Sequence, residues 1–258
     1  MKRKIALLIA CVMSLAAFSG CGEPKKTLKV YNAGEYIDTS LISDFEKEFD
    51  CKVVYETFDS NESMYSKLKS GAANYDVIIP SDYMIERLIK ENALAPLNYD
   101  NIPLAKENLS SDFFGEDAKY DYYDEGNQFS IPYFYGMIGV IYDANRVDEN
   151  DIGSWDLMWN PKYSGQIVQF NNARDAFGSA FYKLGLDVNT SDRAIWDQGL
   201  KELQSQKPLL KKLVMDEIFN IMESGEAAIG AYYAGDYLTM IENQAENVDL
   251  QFYYPENT

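Results

Sequence analysis

"YDVIIPSDYMIERL", residues 75–88, changes its period halfway along. Residues 75–80 are a short apolar run closed by Pro80, the form of a buried strand. From Ser81 onward Met84, Ile85, Leu88 and Ile89 recur at three- and four-residue intervals, the form of a helix with one apolar face. Toward the N-terminus the same change occurs twice more. Residues 28–31 read as a strand and are followed by Leu41, Ile42, Phe45 and Phe49 at helical spacing; residues 52–57 alternate and are followed by a helix carrying Met64 and Leu68 that ends at Gly71. Strand followed by helix three times over predicts an open parallel sheet with helices packed on it.

Toward the C-terminus the pattern first loosens. Residues 92–128, rich in Pro, Asn, Asp and Gly with scattered aromatics, are expected as loops and short helical turns. The apolar run "IPYFYGMIGVIYD", residues 131–143, is expected as one strand crossing from one domain into another. A second α/β set follows, with a short helix at 155–159, a strand at 166–170 and helices at 173–184 and 192–204. Further helices at 216–223 and 236–242 flank a strand at 227–231, and residues 248–254 close as a strand. The domains expected are a first α/β lobe at 27–134 and a second at 135–258.

The N-terminus stands apart. Lys2, Arg3 and Lys4 precede an apolar run from residue 5 to 18 that is short for a permanent membrane span, so residues 1–20 read as an export signal. The end of that signal, Phe18-Ser19-Gly20-Cys21, resembles the lipobox of bacterial lipoproteins, with Phe18 where Leu is more usual. Cys21 is therefore expected to carry lipid as the first mature residue, with residues 21–26 as a tether; an ordinary signal peptide cut nearby is the alternative. With Cys11 removed and Cys21 lipidated, only Cys51 remains, and stability must come from a packed core rather than a disulfide.

Composition narrows the chemistry. A formal charge of −18, deepened by loss of the three basic signal residues, disfavours nucleic acid and anionic lipid and steers cations toward the surface. The chain has no histidine, which excludes serine–histidine and cysteine–histidine catalysis, and no glycine-rich phosphate loop of either common pattern. Cys51 opens an expected strand and reads as core. No cofactor is implied.

In an open α/β sheet the ligand crevice lies beyond the carboxyl ends of the strands. The residues in those places are Gly34, Glu35 and Tyr36 after the first strand, Ser81, Asp82 and Tyr83 after the third, Asn171, Asn172 and Asp175 after a strand of the second set, and Tyr232 and Tyr233 after another. Carboxylates among amides, hydroxyls and aromatic faces suit an alkylammonium ion: the charge regains its lost hydration from carboxylates, and the methylenes and charge both find aromatic faces. Each residue also has a plainer explanation. Asp82 can be a helix cap, Asp175 can complement a helix dipole, and the tyrosines belong to a set of 20.

Five ordered blocks, "DSNESMYSKLKSG" (59–71), "YDVIIPSDYMIERL" (75–88), "SIPYFYG" (130–136), "SWDLMWNPKYSGQI" (154–167) and "NNARDAFGSAFYKLG" (171–185), resemble the spermidine/putrescine-binding proteins of polyamine ABC transporters. The resemblance implies a two-lobed, hinged, periplasmic-binding-protein-like (type II) α/β fold that closes on a polyamine and delivers it to a membrane permease, without catalysis. It assigns Glu35 and Tyr36 as a first-lobe carboxylate and aromatic, Ser81 and Tyr83 as a hydroxyl and an aromatic wall, and Asn172 with Asp175 as the holders of an amino group. Tyr233 falls where the family usually has tryptophan. Departures are Ala33 in place of a common tryptophan and Asn172 in place of an acid, for which Asp82 partly compensates. Family members also continue past the equivalent of "FYYPENT" (252–258), so the chain is expected to be an incomplete copy of a longer reading frame rather than a natural short form. The expected partners are spermidine or putrescine, the permease subunits, and the membrane through the lipid alone, with no nucleic acid. A solute-binding protein for a sugar or another cation, and a surface glycosidase using Glu35 with a second acid, stand as alternatives.

Overall fold

The computed structural model describes residues 26–34, 36–71, 73–115 and 118–256, the side chain of Lys106 apart. The expected signal, Cys21 and Glu35 lie outside the described residues. Lys26, expected as the last residue of the tether, instead opens the first strand.

The three strand–helix units form as the periodicity predicts. They are β1 (Lys26–Ala33), α1 (Ser40–Glu48), β2 (Cys51–Phe58), α2 (Asn61–Lys69), β3 (Val77–Ile79) and α3 (Asp82–Lys90). The strands make a parallel sheet in the order β2-β1-β3. Beyond them come a 3₁₀ turn at Tyr99–Asn101 and α4 (Ala105–Asn108), then β4 (Ile138–Asp143) and 3₁₀ turns at Glu149–Asp151, Trp155–Trp159 and Pro161–Tyr163. The chain goes on through β5 (Ile167–Phe170), α5 (Ala173–Leu184), α6 (Arg193–Gln206), β6 (Leu210–Val214), α7 (Glu217–Glu223), β7 (Ile229–Tyr233), α8 (Ala234–Asn243) and β8 (Leu250–Tyr253). The second sheet runs β6-β5-β7-β4-β8. Its β5 is parallel to β6 and β7, whereas β4 is antiparallel to β7 and β8.

Two expectations change. The run at 131–143 pairs only over β4; residues 131–137 have no regular structure, and Tyr133, Phe134, Tyr135 and Met137 are exposed. An apolar run becomes a strand only where a neighbour accepts its backbone hydrogen bonds. The second is β6, an edge strand with exposed Lys211 and Lys212 that the apolar pattern does not announce.

The described chain divides into two compact units. The smaller comprises the residues up to Phe58 together with Lys67–Ile79, and the larger comprises Asp59–Ser66 with the residues from Pro80 onward, so the division cuts α2. In the smaller unit Tyr31, Cys51 and Phe58 are buried. The Tyr31 ring stacks on Tyr75 at 4.4 Å and meets Phe58 edge-on at 5.1 Å. The Lys67 ammonium lies 4.7 Å from the Tyr31 ring centroid and 2.7 Å from the Glu56 carboxylate, joining α2 to the strands. The apolar stripe of α1 forms as expected but buries nothing: Leu41, Phe45 and Phe49 are 55%, 40% and 59% exposed.

The core of the larger unit lies on its five-stranded sheet, where Val140, Ile141, Ile167, Val168, Phe170, Ile229 and Ala231 are buried against Trp155, Met158, Ile218 and Met222. All four residues of β5 are buried, including Gln169. A buried amide is tolerated when fully hydrogen-bonded. Gln169 donates to Ser179 Oγ (3.1 Å) and Gln206 Oε1 (3.2 Å) and accepts from the Phe170 amide, while Gln206 donates to the Met158 carbonyl. This chain of bonds fixes α5 and α6 against β5, and with them the residues at the end of β5.

Candidate ligand-binding site

Ser81 N-caps α3 with extended backbone, yet its hydroxyl does not cap the helix. Buried Asn61, the first residue of α2, grips it from both sides, donating to Ser81 Oγ (2.9 Å) and accepting from the Ser81 amide (3.1 Å). Asp82 follows in the first turn, accepting from the Tyr83 amide (2.7 Å) through one oxygen and from the Tyr122 hydroxyl (2.8 Å) through the other. The plainer reading of Asp82 as the helix cap does not hold: Ser81 is the N-cap residue, and Asp82 is the first residue of the helix, where its charge complements the dipole. The half-buried Tyr83 donates its hydroxyl to Glu62 Oε1 at 3.1 Å. Burial and then the Glu62 charge hold the Tyr83 phenol well above its ordinary range, and burial followed by the bond to Asp82 pushes Tyr122 up to about 12.

At the end of β5, Asn172 is the N-cap of α5. Its Oδ1 accepts from the Arg174 amide (2.9 Å), which satisfies one orphan N–H of the first turn, and its Nδ2 donates to Asp175 Oδ2 (2.8 Å). Tyr233, the last residue of β7, donates its hydroxyl to the same oxygen of Asp175 at 2.7 Å. The Tyr233 ring packs on Phe170 (5.4 Å) and Tyr232 (4.8 Å). Burial raises the Asp175 pKa; the Tyr233 bond and Arg174 oppose that rise, and Glu62 and Asp82 add to it. The Asp175 carboxyl therefore feels the charges of Glu62 and Asp82, and a cation brought beside it would offset both its desolvation and that repulsion.

Of the expected site residues, Ser81, Asp82, Tyr83, Asn172, Asp175 and Tyr233 all belong to the larger unit. Within it, Asp82 and Tyr83 are electrostatically coupled to Asp175, which Asn172 and Tyr233 hold. Tyr36 belongs to the smaller unit, just beyond β1, and is 36% exposed. Sequence reasoning missed Asn61, Glu62, Tyr122 and Arg174. Asn61 and Glu62 follow β2 as Ser81 and Asp82 follow β3, so the strand-end rule applied to every strand finds them. Arg174 stands between two chosen positions, and Tyr122 lies in a loop with no local signal. Among the described residues no cluster of side chains could hold a metal ion. A separate groove along Asp151, Ser154, Asp156 and Trp159 holds Lys183, whose ammonium is committed to Asp156 and Glu202 at 3.1 Å each.

The chain matches the family described as bacterial extracellular solute-binding protein over residues 40–257. It is 33% identical over 211 residues to spermidine/putrescine-binding periplasmic protein 1 of Haemophilus influenzae, covering 81% of this chain and 57% of that protein. Identity to the spermidine/putrescine-binding periplasmic protein of Escherichia coli is 31% over 232 residues, covering 89% and 64%. The spermidine/putrescine ABC transporter substrate-binding protein PotD of Streptococcus pneumoniae superposes with a TM-score of 0.66 at 37% identity, covering 90% of this chain and 69% of that one. The chain thus spans somewhat less than two thirds of the curated relatives it matches. With that family matched across most of its length, a parallel and a mixed α/β sheet, and acids and aromatics near the strand ends, the chain belongs to the bacterial extracellular solute-binding protein family, and the relatives just described are spermidine/putrescine-binding proteins.

Proposed function

We propose that the chain is part of a lipid-anchored, extracytoplasmic polyamine-binding protein that captures spermidine or putrescine and delivers it to an ABC importer permease. The observation that carries this reading is the Asp175 carboxylate. It is oriented by Asn172 and Tyr233, pushed up in pKa by burial, and coupled to Glu62, Asp82 and Tyr83. A primary or secondary ammonium supplies the charge this group lacks, and the tyrosine faces supply contact for the methylenes. Glu35 and Tyr36 add a carboxylate and an aromatic from the strand end of β1. The lobes at 27–134 and 135–258, each with its own sheet, close on the ligand by a hinge, and Cys21 carries the lipid.

The test is calorimetric titration of the full chain with spermidine, putrescine and a neutral sugar at two ionic strengths. Polyamine binding that weakens with salt supports the reading. Salt-insensitive sugar binding in its place overturns it. Incorporation of labelled fatty acid that is lost in Cys21→Ala tests the anchor.

A further inference from the structure

Arg174 is a cation that acts on Asp175 from within the candidate site. It occupies the second position of α5, where its backbone amide is fixed by the Asn172 cap, and its exposed side chain brings the guanidinium to 5.5 Å from the centroid of the Tyr83 ring. That distance is within the range of a cation–π contact. A positive charge in the first turn of a helix opposes the helix dipole, so helix stability does not account for an arginine here. The ring it covers is the one whose hydroxyl meets Glu62, and the next residue along the helix is Asp175. The guanidinium acts on the Asp175 carboxyl, which also feels the charges of Glu62 and Asp82.

Resting on the polyamine reading, we propose that Arg174 is a specificity-determining residue: it holds the Tyr83 face as a resident cation and limits how much positive charge the site accepts, favouring a diamine over a triamine. A ligand ammonium that uses the Tyr83 face must displace the guanidinium, and every ammonium that lies nearby is repelled by it. The repulsion counts once for each ligand charge within reach, so it falls more heavily on the triamine.

The experiment compares the wild-type chain with Arg174→Gln and Arg174→Lys, each first checked for folding by circular dichroism. Affinities for putrescine and spermidine are measured by calorimetry. In Arg174→Gln the preference should move toward spermidine by about fivefold, the effect of removing one unit charge near the third ammonium, whereas Arg174→Lys should stay near wild type. A preference that stays put in Arg174→Gln, or moves equally in Arg174→Lys, overturns the assignment. Failure of the wild-type chain to bind either polyamine sinks the functional reading and the preference with it. The resident charge is read separately, without ligand, from the NMR titration of the Asp175 carboxyl. Its midpoint must rise in Arg174→Gln, and an unchanged midpoint overturns the contact itself.

Discussion

The hydroxyl of Tyr233 donates to Oδ2 of Asp175 at 2.7 Å, tying the end of β7 to the first turn of α5. Asn172 donates to the same oxygen, so the carboxylate is oriented by two fixed donors before any ligand arrives. Removing one donor to a charged acceptor costs roughly 1.5–3 kcal/mol when the group must stay ionised. Tyr233→Phe, which keeps the ring, should therefore weaken polyamine binding by about that amount, as measured by calorimetry. An unchanged affinity would mean that Asp175 does not meet the ligand.

Burial raises the Asp175 pKa above its ordinary value of 3.8, and this sets the sign of two pH effects. The folded chain holds this proton more tightly than the unfolded chain. Its contribution to stability is thus greatest at low pH and is lost as pH rises from 3.8 through the higher folded value. A cationic ligand prefers the ionised form, so affinity should rise with pH across the same window and binding should release protons. Calorimetry in buffers of different ionisation enthalpy reads that release, and Asp175→Asn should abolish it.

Asn172 serves two roles, helix cap and donor to Asp175. Asn172→Ala loses both and should lower stability by about 0.5–2 kcal/mol in chemical unfolding. Asn172→Asp keeps the cap acceptor but sets a second carboxylate beside Asp175. The unliganded chain should melt lower than wild type, and spermidine should raise its midpoint by more than it raises the wild-type midpoint.

A Cβ on Gly139 of β4 would run into the Phe252 ring and lie 2.6 Å from the Tyr253 carbonyl oxygen on β8, a backbone atom held by strand pairing. Gly139→Ala should therefore destabilise by about 1–3 kcal/mol. Gly178, within α5, has open space around a new Cβ, and Gly178→Ala should stabilise by about 0.5–1 kcal/mol. Thermal melts of the two variants should move in opposite directions.

Much of the secondary structure was legible because a helical stripe and a strand alternation are local properties of the chain. The helix at 173–184 and the strand–helix order of the first sheet follow from period alone. Residues 131–137 and β6 show where that signal stops. The first is apolar without a strand partner, and the second is a partnered edge strand with lysines on its exposed side. Period reports which face of a segment is apolar, not whether a neighbour lies beside it.

The candidate site divides in the same way. The sequence by itself determined the approximate places of most strands, the acids and tyrosines near their ends, and the acidic balance that suits a cation, although β7 runs on to Tyr233, past the expected strand end at residue 231. Only the tertiary structure decided that Tyr233 and Asn172 meet on one oxygen of Asp175, that Asn61 grips Ser81, and that Glu62 and Arg174 belong to the surroundings of Tyr83. The physical reason is separation along the chain: Tyr233 and Asp175 stand 58 residues apart, and only the packing of β7 beside β5 brings a hydroxyl within hydrogen-bond reach of a carboxylate.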